Sequence, residues 1–233
     1  MHTFRPHLQV VVCWSILGSA TAAKADIMLF SQTHHVEGQA TGTTADGQPF
    51  AETYSLTDTS PISGTAAAGY YVPGFGWVLN AVSSTAGNFG VSATDRSGWI
   101  FTGSSAEAES SYRFQFDASP LELAFTGFTT MHAFENWVDF ALADVTESVQ
   151  IDTHRWATEQ LPGDPGSIEW LGSYDINPQH LYQLDLHAHV RCGDQPSGDA
   201  TLNVTVSPEP SSAVLALAGA LLLTRRVRRG RIA

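Results

Sequence analysis

The chain has 233 residues, 43% of them hydrophobic, and carries 23 acidic residues against 11 basic ones for a net charge of −12. Between residues 26 and 207 it has no lysine, and its only fixed cations there are Arg96, Arg113, Arg155 and Arg191. Such a surface repels phosphate backbones, which excludes nucleic acid as a partner, and it favours solubility, cation accumulation or a saline exterior.

The N-terminus reads as a secretory signal. Arg5 and His7 precede an apolar stretch from Leu8 to Leu17, and small residues follow to Ala23-Lys24-Ala25. This pattern predicts a signal peptide over residues 1–25, with Asp26 opening the processed chain. A lipoprotein reading fits less well, because Cys13 lies inside the apolar run and follows Val12 rather than a small residue. Removal of the signal leaves Cys192 as the sole thiol, so no intramolecular disulfide forms and stability must come from a core. Residues 26–206 fit one domain by length.

That domain reads as strands. Val36 to Thr44 and Pro49 to Leu56 flank Asp46-Gly47, a strong two-residue turn signal, and are predicted to pair as a hairpin. Tyr70 to Val82 carries Pro73-Gly74 and Gly76, which predicts a bent or bulged strand. Val91 to Thr94 and Trp99 to Thr102 are divided by the turn Asp95-Arg96-Ser97-Gly98. From Ala106 to Asp117, strict alternation sets Ala106, Ala108, Ser110, Tyr112, Phe114 and Phe116 against an outward face of Glu107, Glu109, Ser111, Arg113, Gln115 and Asp117. Leu121 to Phe128, Phe134 to Val145 and Ile168 to Tyr174 supply further strands. Leu181 to Cys192 alternates again, and with Ala200 to Val206 it is predicted to form a hairpin around Gly193 to Asp199. Around ten short strands with Gly, Pro, Asn and Asp turns predict an all-β fold, an antiparallel β-sandwich with the jelly roll as one form of it.

Three side-chain constellations could carry chemistry. Asp185, His187 and His189 project from one strand face at a spacing of two, which can bring two imidazoles and a carboxylate toward a transition metal. The same spacing also describes a solvated polar face. His34, His35, His132, His154 and His180 are available as further ligands, without a pattern that designates any of them. Glu135, Trp137 and Asp139 share an outward face, where an indole between carboxylates can stack on a sugar and accept hydroxyl hydrogen bonds, or can pack under a loop. Converging acids in the turns Asp194 to Asp199 or Gly163 to Gly166 could hold calcium. No cofactor is called for otherwise, and no nucleophile elbow, zincin helix, Walker loop or dinucleotide fingerprint is present.

The last residues form three ordered blocks. Ser207-Pro208-Glu209-Pro210 holds the chain extended, an apolar run spans Ala213 to Leu223, and Arg225, Arg226, Arg228, Arg229 and Arg231 follow. As a helix the run would span about 17 Å, short for a hydrocarbon core of about 30 Å, with the arginines held on the cytoplasmic side. This tail, residues 207–233, resembles the PEP-CTERM sorting signal of bacterial surface proteins. The resemblance implies recognition by a membrane-embedded exosortase and removal of the tail. Taken together, the expectation is a secreted envelope or extracellular-matrix protein with a structural or adhesive role, membrane-anchored as a precursor. A carbohydrate-binding module for extracellular polysaccharide is the alternative reading, and a divergent glycoside hydrolase the third.

Overall fold

Alternation at a period of two places an apolar stripe on one side of each extended segment, and such stripes are buried by stacking one sheet on another. A computed structural model describes residues 27–44, 46–72, 76–96, 103–117, 119–130, 135–157, 166–191 and 197–208, and every regular element among them is a β-strand. In chain order these are β1 (Ile27–Thr43), β2 (Pro49–Asp58), β3 (Ile62–Val72), β4 (Gly76–Gly87), β5 (Gly90–Arg96), β6 (Ser105–Phe116), β7 (Leu121–Thr129), β8 (Glu135–Asp144), β9 (Val149–Ala157), β10 (Gly166–Tyr174), β11 (Tyr182–Arg191) and β12 (Gly198–Pro208). They form two six-stranded sheets, β2-β1-β6-β11-β8-β9 and β10-β7-β12-β5-β4-β3. Their pairings are antiparallel. The expected β-sandwich is the fold.

Its connectivity is that of a jelly roll. β5 pairs with β12, β6 with β11, β7 with β10 and β8 with β9. These four nested pairs make one long ribbon, whose successive strands alternate between the sheets except at the β8–β9 hairpin. The β1–β2 hairpin extends the first sheet beyond β6, and the β3–β4 hairpin extends the second beyond β5.

The core lies between the two alternating faces. Tyr112, Phe114 and Phe116 of β6 and Tyr182, Leu184 and Leu186 of β11 are all at most 1% exposed. They belong to the same buried cluster as Leu121, Leu123 and Phe125 of β7 and Leu202 of β12. Burying each Leu or Phe contributes about 1.5–3 kcal/mol, so a one-residue slip, which exposes a whole face, is strongly disfavoured.

Aromatic rings occupy both open edges of the sandwich. Between β9 and β10, Trp156 and Trp170 lie against Phe125 and Phe140, whose own rings stack at 4.1 Å. Between β2 and β3, Tyr54 passes over Gly38 and Gly64 to meet Ser84 Oγ at 2.7 Å.

Two expectations about strand pairing are corrected. β11 and β12 do not form a hairpin, for they lie in opposite sheets. Both strands have one apolar face, so alternation alone could not say which sheet each joins. Tyr70 to Val82 is not one bent strand: β3 and β4 pair antiparallel with Val72 opposite Gly76, and Pro73-Gly74 lies outside the described residues. The Asp46-Gly47 hairpin is present as β1–β2, with Thr43 opposite Pro49. The turn expected at Asp95-Arg96-Ser97-Gly98 does not begin there, because Asp95 and Arg96 continue β5, opposite Val82 and Ala81 of β4, and residues 97–102 lie outside the described residues.

Candidate functional site on the outer face of the first sheet

The side chains that alternate away from the core on β1, β6, β11, β8 and β9 stand in rows fixed by the strand register. One row runs Glu37, Glu107, His189, Trp137, Ala157 across the five strands. The next runs His35, Glu109, His187, Asp139, Arg155. A third passes through Thr33, Ser111 and Asp185. Backbone pairing thus assembles a belt of ionisable groups from segments that lie far apart in sequence.

His187 is its centre. Its Nε2 contacts Glu107 Oε1 directly and lies 3.7 Å from Glu109 Oε1, while its Nδ1 lies 3.9 Å from Asp139 Oδ1. His189 Nδ1 is 3.4 Å from Glu107 Oε2, yet it is buried and lacks a hydrogen-bond partner. Glu107, Glu109 and His187 each offer a ligand atom, and the three atoms lie within 4.8 Å of one another. The His187 ring, then the His189 ring, hold the Glu107 carboxyl well below the usual carboxylate range, against the opposing effect of partial burial.

Arg155 and Trp137 buttress this centre. Arg155 donates from Nε at 2.9 Å and Nη2 at 2.6 Å to Asp139 Oδ2, and its guanidinium lies 4.0 Å from the Trp137 ring centroid. Trp137 meets the His187 ring edge-on at 4.4 Å and stacks on His189 at 5.2 Å. Beside the centre, Thr33, His35, Glu109, Ser111, Asp139, Asp185 and His187 line an open depression of about 300 Å³.

The sequence-predicted residues divide accordingly. Trp137 and Asp139 do share the outward face, with Glu135 exposed at the start of β8 opposite Arg191. The indole, however, is engaged by Arg155 and His189, so a sugar stacking there would have to displace the arginine. Asp185, His187 and His189 share the face of β11, but Asp185 accepts hydrogen bonds from Gln183 Nε2 at 3.0 Å instead of joining the histidines. The carboxylates that meet His187 are Glu107 and Glu109 from the neighbouring strand. Alternation marked both as outward, and only the β6–β11 register shows that they face histidines.

Of the other histidines, His34 turns into the core, His35 joins the belt and His154 lies against Trp156 at the sandwich edge. His180 Nδ1 lies 2.6 Å from Asp144 Oδ2. His132 is outside the described residues, as are residues 194–196 and 163–165 of the two turns considered for calcium. Asp199 is described and pairs with Arg96 at 2.9 Å. In the tail motif, Pro208 is the last residue of β12, while Glu209, Pro210, Arg225, Arg226, Arg228 and Arg229 lie outside the described residues.

No family model and no curated protein matches the chain. Among solved structures it is similar to the enzymatically active domain of bacteriophage CBA120 tailspike protein 4, at 14% identity and a TM-score of 0.28, over 64% of this chain and 18% of that one. It is also similar to an arabinose-bound α-L-arabinofuranosidase, at 12% identity and a TM-score of 0.23, over 63% of this chain and 22% of that one. The chain therefore spans less than a quarter of either protein, and likenesses of this size carry no functional argument.

Proposed function

We propose that the protein is a secreted, surface-displayed jelly-roll module that adheres to extracellular polysaccharide through the outer face of the first sheet. One observation carries this reading: the belt of Glu37, Glu109, Asp139, Asp185, His35 and His187 beside the open depression. Carboxylates and imidazoles spaced along strands offer acceptors and donors at intervals that a polyhydroxylated chain can match. The depression is broad and open, which suits a polymer running across the sheet better than a small molecule held in a closed cavity. Its acidic balance favours neutral or amine-bearing polysaccharide and disfavours anionic polymers.

Retention of the full chain on neutral, amine-bearing and anionic polysaccharides, measured in chelator, tests this reading. The first two classes are expected to retain the protein, and His35→Ala and Asp185→Ala are each expected to weaken retention about tenfold, the loss of a hydrogen bond to a charged group. Retention on none of the polymers, or equal retention of both variants, overturns it.

A further inference from the structure

The outer-face belt contains a ligand set that the chain itself does not neutralise. Glu107 and Glu109 project from the same face of β6, a central strand, and their ion-pair partners among the described residues are histidines. An imidazole is a conditional cation, and when neutral it is a metal ligand. We propose that Glu107, Glu109 and His187 bind one divalent first-row transition-metal ion, with His189 as the fourth ligand.

The donor chemistry selects the class of ion. Two imidazole nitrogens with two carboxylates suit zinc and its neighbours, whereas calcium takes six or more oxygens. The ligand atoms of Glu107, Glu109 and His187 already lie within 4.8 Å. Around a tetrahedral ion with bonds of about 2.0–2.1 Å they would stand about 3.3 Å apart. Closing on the ion requires Glu109 to move in, Glu107 to part slightly from His187, and His189, which lies outside that group of three and 3.4 Å from Glu107, to turn toward the ion.

The surroundings of the histidines point independently to a ligand. A metal-binding histidine characteristically turns its second ring nitrogen to a carboxylate, which fixes the ring and raises its basicity. In His187, Nε2 faces Glu107 and Glu109 while Nδ1 is on the side of Asp139, 3.9 Å away, within reach of that arrangement after a small side-chain shift. Asp139 is fixed in turn by both hydrogen bonds from Arg155. His189 turns a buried Nδ1 toward Glu107 Oε2 at 3.4 Å, on a side chain only 17% exposed, and makes no well-formed hydrogen bond there. Trp137 packs against both rings and sets their planes nearly perpendicular to one another, edge-on for His187 and stacked for His189.

Zinc and cobalt(II) titrations of the tag-free full chain, stripped with chelator, test the site. One equivalent of zinc is expected to bind, cobalt is expected to give the visible absorption of a tetrahedral N/O site, and millimolar calcium should displace neither. Glu109→Gln, nearly isosteric and half-exposed, and His187→Ala should each weaken zinc binding at least a hundredfold. Asp139→Asn should weaken it about 10–100-fold as an orienting group. Asp185→Asn should leave it unchanged. Far-UV circular dichroism of each variant separates lost ligation from lost folding, and Glu109→Gln remains decisive if His187→Ala fails to fold. Absence of stoichiometric zinc binding, or equal binding by Glu109→Gln, overturns the proposal, as does loss through Asp185→Asn alone. The site does not depend on polysaccharide adhesion, which is assayed in chelator, so either reading can fail without the other.

Discussion

His34 shows how one inward turn of a polar residue imposes a pH dependence on the fold. It is wholly buried on β1, with Nδ1 3.0 Å from Ser110 Oγ and the ring edge-on to Tyr112 at 5.5 Å. Nε2 has no hydrogen-bond partner. Burial pushes the His34 pKa below its ordinary value of 6.5, and the Asp58 carboxylate on β2 opposes this only in part. A depressed pKa means that the folded state prefers the neutral ring. The associated stability is therefore present above pH 6.5 and is lost as pH falls through the folded-state value. Below pH 6.5 the wild type should lose stability more steeply than His34→Leu, by at most about 1.4 kcal/mol per pH unit for one proton. Urea denaturation of both proteins from pH 7.5 downward checks this, with the slope as the readout. Parallel slopes would remove His34 as the source.

At the scale of elements, the β2–β3 edge depends on missing side chains. A Cβ on Gly38 would stand 2.5 Å from Tyr54 Cε1, and one on Gly64 would collide with Cδ2 and Cε2 of the same ring. Gly64→Ala is therefore expected to push Tyr54 away from Ser84 and to cost about 1–3 kcal/mol, the usual range for overpacking. In a Tyr54→Ala background the same substitution should cost almost nothing, and a double-mutant cycle by chemical denaturation measures the difference. Neither the edge nor the belt was legible in one strand at a time. Tyr112, Phe114 and Leu184 could be placed inside from alternation alone, because a period of two states which face is apolar. Pairing is a different matter, since Glu109 and His187 are brought together only by the register of two strands that begin 77 residues apart. The β4–β5 turn was unreadable for another reason. Asn88 and Phe89 hold φ of 53° and 56°, and Phe is an unusual residue for that left-handed conformation. Stacking of Phe89 on Tyr112 at 4.2 Å and the hydrogen bond from Phe89 N to Tyr112 Oη at 2.8 Å hold it there, and both are tertiary contacts.

The whole molecule has a polarity that links the belt to the tail. β1 starts with Ile27 opposite Phe116, and β12 ends with Pro208 opposite Leu121, so both ends of the sandwich flank the short β6–β7 connection. Glu107 lies nine residues back along β6 from Phe116, about 30 Å at the rise of a strand. A precursor held by residues following Pro208 would therefore carry the belt toward the end facing away from the membrane. The β12–β7 ladder, which runs through Pro208, predicts that the fold survives removal of the residues beyond it. β12 pairs with β5 over Gly198–Asn203 and with β7 over Ala200–Pro208. The PEP-CTERM-like blocks predict that the precursor fractionates with membranes and that the dominant surface-extracted form lacks the run from Ala213 to Leu223 and the arginines after it. Mass spectrometry of that form checks the removal, and an intact Arg231 to Ala233 terminus as the main species would refute it. The processed protein should also unfold at the same denaturant midpoint as a detergent-extracted precursor compared in the same detergent. A lower midpoint would mean that residues beyond Pro208 contribute to the sandwich in addition to the ladder that β12 makes with β7.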